Sequence, residues 1–466
     1  MRFLLSILIC CLVLPAVAGE LPASVAAALR EAGVPQSAVG IVVQRVDAPA
    51  PALLLNAEQA MNPASTMKLL TTYAALEQLG VAYTWHTDAY SAAPLQNEVL
   101  QGDLVLKGMG DPALTLERFW LLLRELRQSG VREIQGDLVL DQSYFEHSVA
   151  DPGSFDDQPD RAYNAAPDAL LVNYKAVRFD FRTDGSSVAV VASPALPAIR
   201  IINQMQVGTG KCEGWKQRIA RQVQRDGANV TIQFSGRYPT TCGVQSLELA
   251  LFDDAGYISQ LFTQLWREMG GVFNGQVKAG SLPGNARLLA RMDSLPLTDV
   301  VRLINKYSNN VMARQLLLTL GAEQEEAPGT TGKGVLAIKS WLAAKGSRYP
   351  ELVLENGAGL SRAERISPRH LGEVLINAWY SPVMPAFVSS LPVSAVDGTM
   401  KSRLKNTVLA GRAYIKTGSL DGVKTMAGYV LDAQDRHWMV VFLVNHKNAD
   451  KARDAMDALL TWVYAR

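Results

Sequence analysis

At 466 residues the chain exceeds what one hydrophobic core usually organises, so two or three domains are expected. Its 45 Lys and Arg nearly cancel its 44 Asp and Glu, leaving a net charge of +1 without any basic block, so bulk charge favours neither nucleic acid nor an acidic polymer. Recognition has to be local.

In chain order, Met1-Arg2, the apolar run 3–14 and the small residues Ala16 and Ala18 read as a secretory signal, cleaved after Ala18. Cys10 and Cys11 fall inside that segment, behind Ile9 rather than a small residue, so no lipid anchor is expected. Cys212 and Cys242 are then the only thiols of the mature chain, and an isolated pair in an oxidising compartment is expected to form a structural disulfide. The five histidines are scattered without paired spacing, so no metal site and no cofactor are expected.

Residues 22–33 have helical spacing, and 39–43 and 53–55 read as antiparallel strands separated by the turn-prone 48–51. Next comes Asn62-Pro63-Ala64-Ser65-Thr66-Met67-Lys68, followed by the apolar-periodic run 69–79 and stopped by Gly80. Asn62 as N-cap and Pro63 in the first turn predict a helix starting here, with Ser65 and Lys68 side by side at its positive end. Serine is a poor nucleophile at neutral pH unless a base takes its proton, and a lysine amine kept neutral by burial and nearby positive charge is such a base.

Residues 90–288 are expected to form an insertion of one or two folded subdomains. Strands are expected over 99–106, 136–140, 177–182, 188–191 and 230–234, and helices over 116–129 and 256–269. No low-complexity tract or fixed-period repeat interrupts it. Residues 296–320 then read as a helix broken around 306–310, with a second helix near 335–344; Gly332-Lys333-Gly334 lacks the spacing and the preceding strand of a phosphate loop. Strands at 412–416, 424–431 and 438–444, a turn at 432–435 and a helix over 449–464 complete a sheet begun near the N-terminus. Residues 19–89 and 289–466 are therefore expected to build one α/β (α+β) domain, an antiparallel sheet flanked by helices.

Three short motifs stand in order: Ser65-Thr66-Met67-Lys68, Ser308-Asn309-Asn310 and Lys416-Thr417-Gly418. Each alone is weak, but the ordered set is that of serine enzymes acylated by penicillins. With Gly108-Met109-Gly110-Asp111-Pro112, Gly357-Ala358-Gly359-Leu360-Ser361-Arg362 and the extension Ser419-Leu420-Asp421-Gly422, the chain resembles the class C low-molecular-mass penicillin-binding proteins. These are the exported D-alanyl-D-alanine carboxypeptidase/endopeptidases of the penicillin-binding protein 4 type. The resemblance covers nearly the whole mature chain, including the long insertion between the first two motifs.

The resemblance implies the penicillin-binding, serine β-lactamase-like transpeptidase fold, a periplasmic location, and peptidoglycan stem peptides and β-lactam antibiotics as partners. It leaves a homodimer open. It implies that Ser65 attacks the D-alanyl-D-alanine carbonyl, Lys68 takes its proton, Ser308 relays a proton to the leaving amine and Asn310 holds the peptide and Lys68. Lys416 is expected to stay charged, attract the terminal carboxylate and depress the pKa of Lys68, while Thr417, Gly418 and Ser419 bind substrate along the strand. Backbone N–H groups of Ser65 and Ser419 would form the oxyanion hole. Asn309 replaces a common Asp at a position expected to point away from the chemistry. Arg362, and with it Asp141 and Phe145, match positions that contact the side-chain end of the stem peptide, Arg362 through a carboxylate and Asp141 through an ammonium. Asp421 stands where relatives often have Gln, and its charge on the cleft rim is expected to disfavour a substrate carboxylate. Two alternatives are a β-lactamase, for which 351–356 comes close to the required Glu-x-x-Leu-Asn but has Glu355 where Asn is needed, and a catalytically silent peptidoglycan-binding scaffold on the same fold.

Overall fold

The computed structural model describes residues 20–147 and 152–466; the expected signal peptide lies outside them. Strands from the two ends of the chain pair with one another. Ala413–Leu420, Val423–Leu431, His437–Asn445, Val39–Arg45 and Leu53–Leu55 form, in that order, one antiparallel sheet.

Val39, Ile41, Val43, Val440, Phe442 and Val444 face the helices Ala23–Glu31 and Arg453–Tyr464, packing on Val25, Leu29, Leu459 and Val463. Val42, Val441, Leu443 and Tyr429 face the opposite layer, where Leu69, Leu70, Leu316 and Leu371 lie. A sheet covered on both faces needs apolar residues at successive positions, which is why residues 438–444 read as one apolar run rather than an alternation. Among the described residues no helix is long and apolar enough to cross a membrane.

The helix expected to begin at the Ser65 segment starts later and tighter than its sequence predicts. Ala64–Met67 is a 3₁₀ turn, and the α-helix proper is Lys68–Leu79, ended by Gly80 at φ 86°. Asn62 does not cap that helix: its Oδ1 accepts the N–H of Ala64 at 2.9 Å, and Ala64 sits in the left-handed region at φ 45°. The reason is tertiary. Asn62 and Asn445 exchange hydrogen bonds of 2.7 and 3.0 Å, and the Asn62 amide donates to Ser361 O at 2.8 Å, so Asn62 ties the turn to the sheet and to a loop.

The break expected around 306–310 is resolved into two helices, Leu297–Tyr307 and Asn310–Gln324. Ser308 ends the first in a left-handed conformation (φ 56°), and the Asn309 side chain caps the second by accepting the N–H of Met312 at 3.0 Å.

The chain leaves this α/β body along His86–Ser91 and returns along Arg287–Asp293, and these two strands pair antiparallel. The expected joins near 90 and 288 therefore fall inside paired strands. Asp88, fully buried in the outgoing strand, is gripped by Arg291 of the returning one through two 2.7 Å bonds. The strand expected over 99–106 is two strands in different sheets. Val99–Leu100 pairs with Glu133–Ile134 and Leu104–Gly108 with Leu138–Asp141, the chain turning where Asp103 Oδ1 accepts Asp137 N at 2.7 Å.

Ile199–Gly208, Ile219–Asp226 and Gln245–Ala250 are strands the sequence reading missed. Their outward positions carry Gln, Arg and Asn, which blurs any apolar signal. Cys212 and Cys242 are bonded to one another across 30 residues of chain. Closing a loop of that length is worth about 3.5 kcal/mol in the chain-entropy account. Reduction, or the double change Cys212→Ser/Cys242→Ser, should lower the unfolding midpoint in urea by an amount matching a few kcal/mol, while covalent labelling by penicillin in native buffer persists.

Candidate active site

Three elements converge on Ser65: its own 3₁₀ turn, the junction between Leu297–Tyr307 and Asn310–Gln324, and the edge strand Ala413–Leu420. In a 3₁₀ turn residues three apart eclipse, and Lys68 Nζ accordingly lies 3.0 Å from Ser65 Oγ. The same Nζ reaches Asn310 Oδ1 at 2.7 Å and the carbonyl oxygen of Ala358.

A neutral amine has two N–H groups and one lone pair. With Asn310 and Ala358 accepting the two N–H groups, the lone pair faces the Ser65 hydroxyl, which is the arrangement a base needs. Lys68 is fully buried, and burial pulls its pKa down to about 7, with the Glu364 carboxylate opposing the shift. The neutral amine is therefore accessible to Lys68 near neutral pH.

Glu364 was missed by sequence reasoning. Its Oε1 accepts three backbone N–H groups, from Glu355 (3.1 Å), Asn356 (2.9 Å) and Gly357 (3.0 Å), and so folds the 355–364 loop that presents Ala358 to Lys68. Burial raises the Glu364 pKa, against those three donors and the Lys68 charge. The only sequence cue was its position two residues beyond the Gly-Leu-Ser-Arg stretch. The loop is pinned from below by Thr71, whose hydroxyl donates to Gly357 O at 2.8 Å, and its Gly359 is obligatory in size. At φ 76°, a β-carbon there would fall 1.9 Å from Ala64 O, inside the nucleophile turn.

On the strand side, Lys416 Nζ donates to Ser308 Oγ and to Thr417 O, each at 2.8 Å, and Thr417 Oγ1 donates to Thr399 Oγ1 at 2.8 Å. Gly418 lets the strand approach the turn: a β-carbon at 418 would lie 2.8 Å from Ser65 N. Thr425, opposite Gly418 in the sheet, donates to Pro63 O at 2.8 Å and fixes that approach. Ser419 is exposed at the outer end of the strand.

Burial, then the charge of Lys68, pushes the Lys416 pKa well down. Asn309 is engaged in capping its helix, turned from the site.

The structure brings Ser65, Lys68, Ser308, Asn310, Lys416, Thr417 and Gly418 together. Asp141 is buried and engaged within the fold: Oδ1 accepts from Ser143 N (3.0 Å) and Oγ (2.6 Å), and Oδ2 from Leu282 N (2.8 Å), with Lys107 at 3.7 Å. Phe145 is likewise buried, packed on Tyr144, Ala169 and Leu318 and roofing Gly110. Arg362 is exposed, but its Nη1 donates to Asp421 O at 2.8 Å and its guanidinium lies over the Phe155 ring. Asp421 sits exposed in the hairpin turn after Leu420. Glu351, the residue a β-lactamase reading leans on, is held by His370 at 2.6 Å and by Ser367 N at 2.8 Å.

These pKa directions fix a pH dependence. Only unprotonated Lys68 can accept the Ser65 proton, so the second-order rate of acylation should rise about tenfold per pH unit up to about pH 7 and level off above it. Glu364→Gln removes the charge that favours protonated Lys68, so its acid limb should move to lower pH. Stopped-flow labelling with a fluorescent penicillin from pH 5 to 9 checks both; an unmoved limb would dissociate Glu364 from Lys68.

The chain is similar over its length to known proteins. It is 28% identical over 394 residues to the D-alanyl-D-alanine carboxypeptidase DacB of Haemophilus influenzae, covering 84% of this chain and 81% of the relative. It is 31% identical over 391 residues to the D-alanyl-D-alanine carboxypeptidase of Actinomadura sp. (strain R39), covering 79% and 70%. The crystal structure of penicillin binding protein 4 (dacB) from Haemophilus influenzae superposes with a TM-score of 0.76 at 26% identity, covering 94% of this chain and 99% of that one; the same protein has been solved in complex with a β-lactam. The profile of the D-Ala-D-Ala carboxypeptidase 3 (S13) family matches residues 21–465, and the chain belongs to that family.

Proposed function

We propose that this chain is a serine D,D-peptidase of peptidoglycan whose nucleophile is Ser65 and whose base is Lys68. The observation that carries the assignment is the Lys68 amine, buried and with both N–H groups taken by Asn310 and Ala358, so that its remaining valence meets Ser65 Oγ at 3.0 Å.

Ser65 Oγ bonds to the penultimate D-alanyl carbonyl carbon as its proton passes to Lys68. The tetrahedral oxyanion lies between the Ser65 and Ser419 N–H groups, donors of a kind worth about 3 kcal/mol each. The C–N bond then breaks, and the proton that Lys68 took up is relayed through the Ser308 hydroxyl, which lies between Lys416 and the cleft, to the departing amine, so that Ser308 regains the proton it gives and Lys68 returns to its neutral form. Water hydrolyses the acyl-enzyme, returning Ser65 and releasing the shortened peptide. Where the amine is free D-alanine the enzyme is a carboxypeptidase. Where it belongs to a neighbouring stem peptide, the same step opens a cross-link. Lys416, Thr417 and Gly418 hold the substrate's terminal carboxylate and backbone. A β-lactam enters the same cycle and stalls as its acyl-enzyme. Export by the residue 1–18 signal would place this activity in the periplasm.

Ser65→Ala should abolish both fluorescent-penicillin labelling and D-alanine release without unfolding the chain. Lys68→Arg should lose on the order of 10³-fold in acylation rate, because a guanidinium stays protonated and cannot take the serine proton. Labelling that survives in Ser65→Ala would remove Ser65 from the mechanism, and near-normal acylation of Lys68→Arg would place the base elsewhere.

A further inference from the structure

Pro392, Val393 and Ser394 run beside the edge strand Ala413–Leu420: Ile415 N donates to Pro392 O at 2.8 Å and Ser394 N to Ala413 O at 2.9 Å. Past that bridge the chain folds back through the 3₁₀ turn Gly398–Met400, closed where Ala395 N donates to Met400 O at 3.1 Å. The turn is also anchored to the helix that ends at Ser308. Lys306, buried, donates to Leu391 O at 2.6 Å and to Asp397 Oδ1 at 2.9 Å, and the same Oδ1 accepts Val393 N at 2.9 Å. Gly398 lets backbone meet backbone: at φ 55°, a β-carbon there would fall 2.5 Å from Lys306 O. Residues 391–400 therefore tie the second motif to the third, and they leave Thr399 exposed beside Thr417.

The two hydroxyls are 2.8 Å apart, with Thr417 Oγ1 donating to Thr399 Oγ1. A hydroxyl has one proton to give and two lone pairs. One of the pair's two protons is shared between them, and among the described residues the Thr399 proton has no acceptor. Lys416 gives two N–H groups to Ser308 Oγ and Thr417 O, which leaves it at most one for a ligand.

A carboxylate set against Thr417 brings two oxygens and about four acceptor positions, more than one N–H and one hydroxyl satisfy. Hydroxyl-to-carboxylate bonds are charge-assisted and stronger than the hydroxyl-to-hydroxyl bond they would replace. Thr399 supplies the missing donor from outside the three motifs, at a place fixed by Lys306 and Asp397.

We infer that Thr399 is a specificity-determining residue, whose hydroxyl donates directly to the terminal carboxylate of the ligand, and that Lys306 and Asp397 are its positioning residues. The inference rests on the D,D-peptidase reading for the identity of the group that carries the carboxylate.

The test compares a penicillin with its methyl ester, which keeps the reactive ring and lacks the carboxylate. Second-order rates of acylation of Ser65 are measured by mass spectrometry for the native protein, Thr399→Val, Thr399→Ser, Thr417→Val and the double variant. Thr399→Val should slow acylation by the free acid about tenfold, the scale of one hydrogen bond to a charged group, and leave the ester rate unchanged. Thr399→Ser, which keeps the hydroxyl, should stay close to native. In the Thr417→Val background, Thr399→Val should again slow the free acid. On a D-alanyl-D-alanine peptide, Thr399→Val should raise KM about tenfold with kcat nearly unchanged, the signature of lost uniform binding. An equal loss on acid and ester would make Thr399 a structural brace, and no further loss in the Thr417→Val background would mean that it acts only by orienting Thr417; either overturns the inference. A native protein that penicillin does not label would fail the peptidase reading and the inference with it, whereas native labelling that Thr399→Val leaves unaltered sinks only the inference.

Discussion

The structure turns on one buried amine. A lysine side chain loses its hydration when enclosed, and the ammonium form suffers far more than the amine. Full burial shifts Lys68 toward the amine, and Glu364 opposes that shift. Its three partners come from parts of the chain distant in sequence: Ser65 from its own turn, Asn310 from a helix start, and Ala358 from a loop. Each must be fixed independently for the lone pair to find the hydroxyl. Asn309 caps the helix that presents Asn310, Glu364 gathers the loop that presents Ala358, and the Asn62–Asn445 pair holds the turn that presents Ser65.

The same constraint explains the small residues. The turn, the loop and the edge strand approach closer than a β-carbon permits, so Gly359 and Gly418 occupy the contact points. The left-handed Ala64 and Ser308 mark where the backbone bends to bring hydroxyl and amine into register. Strain of this kind persists only where surrounding contacts over-determine it. Here they do, through Thr425 to Pro63 O on one side and Lys416 to Ser308 on the other. The inserted region leaves and rejoins the body by paired strands clamped at Asp88 and Arg291, so it closes upon itself. It meets the helical layer where Gln315 exchanges two 2.9 Å bonds with the Asp168 backbone.

The chemistry of the site was legible in the sequence because it resides in residue types at short spacing. Ser65 and Lys68 three apart, Ser308 and Asn310 two apart, and Lys416-Thr417-Gly418 on a strand all declare themselves locally, as does the sheet strand 438–444 through its unbroken apolar run. What the sequence could not determine are relations set by folding at a distance. The 3₁₀ start of the helix that follows Ser65 reflects Asn445 and Ser361 pulling on Asn62, contacts separated by about 300 to 400 residues. The strand reading over 99–106 failed because a turn at Asp103 depends on Asp137. Asp141 and Arg362 carry suitable charges for binding a peptide, and only folding sets their neighbours: Ser143 and Leu282 for Asp141, and Asp421 O for one N–H of Arg362. Arg314, silent in the sequence, has no carboxylate partner among the described residues. Sequence thus fixes which groups exist and how near neighbours align, whereas burial and the partner of each charge are properties of the folded chain, because desolvation and hydrogen-bond geometry do not exist until distant segments meet.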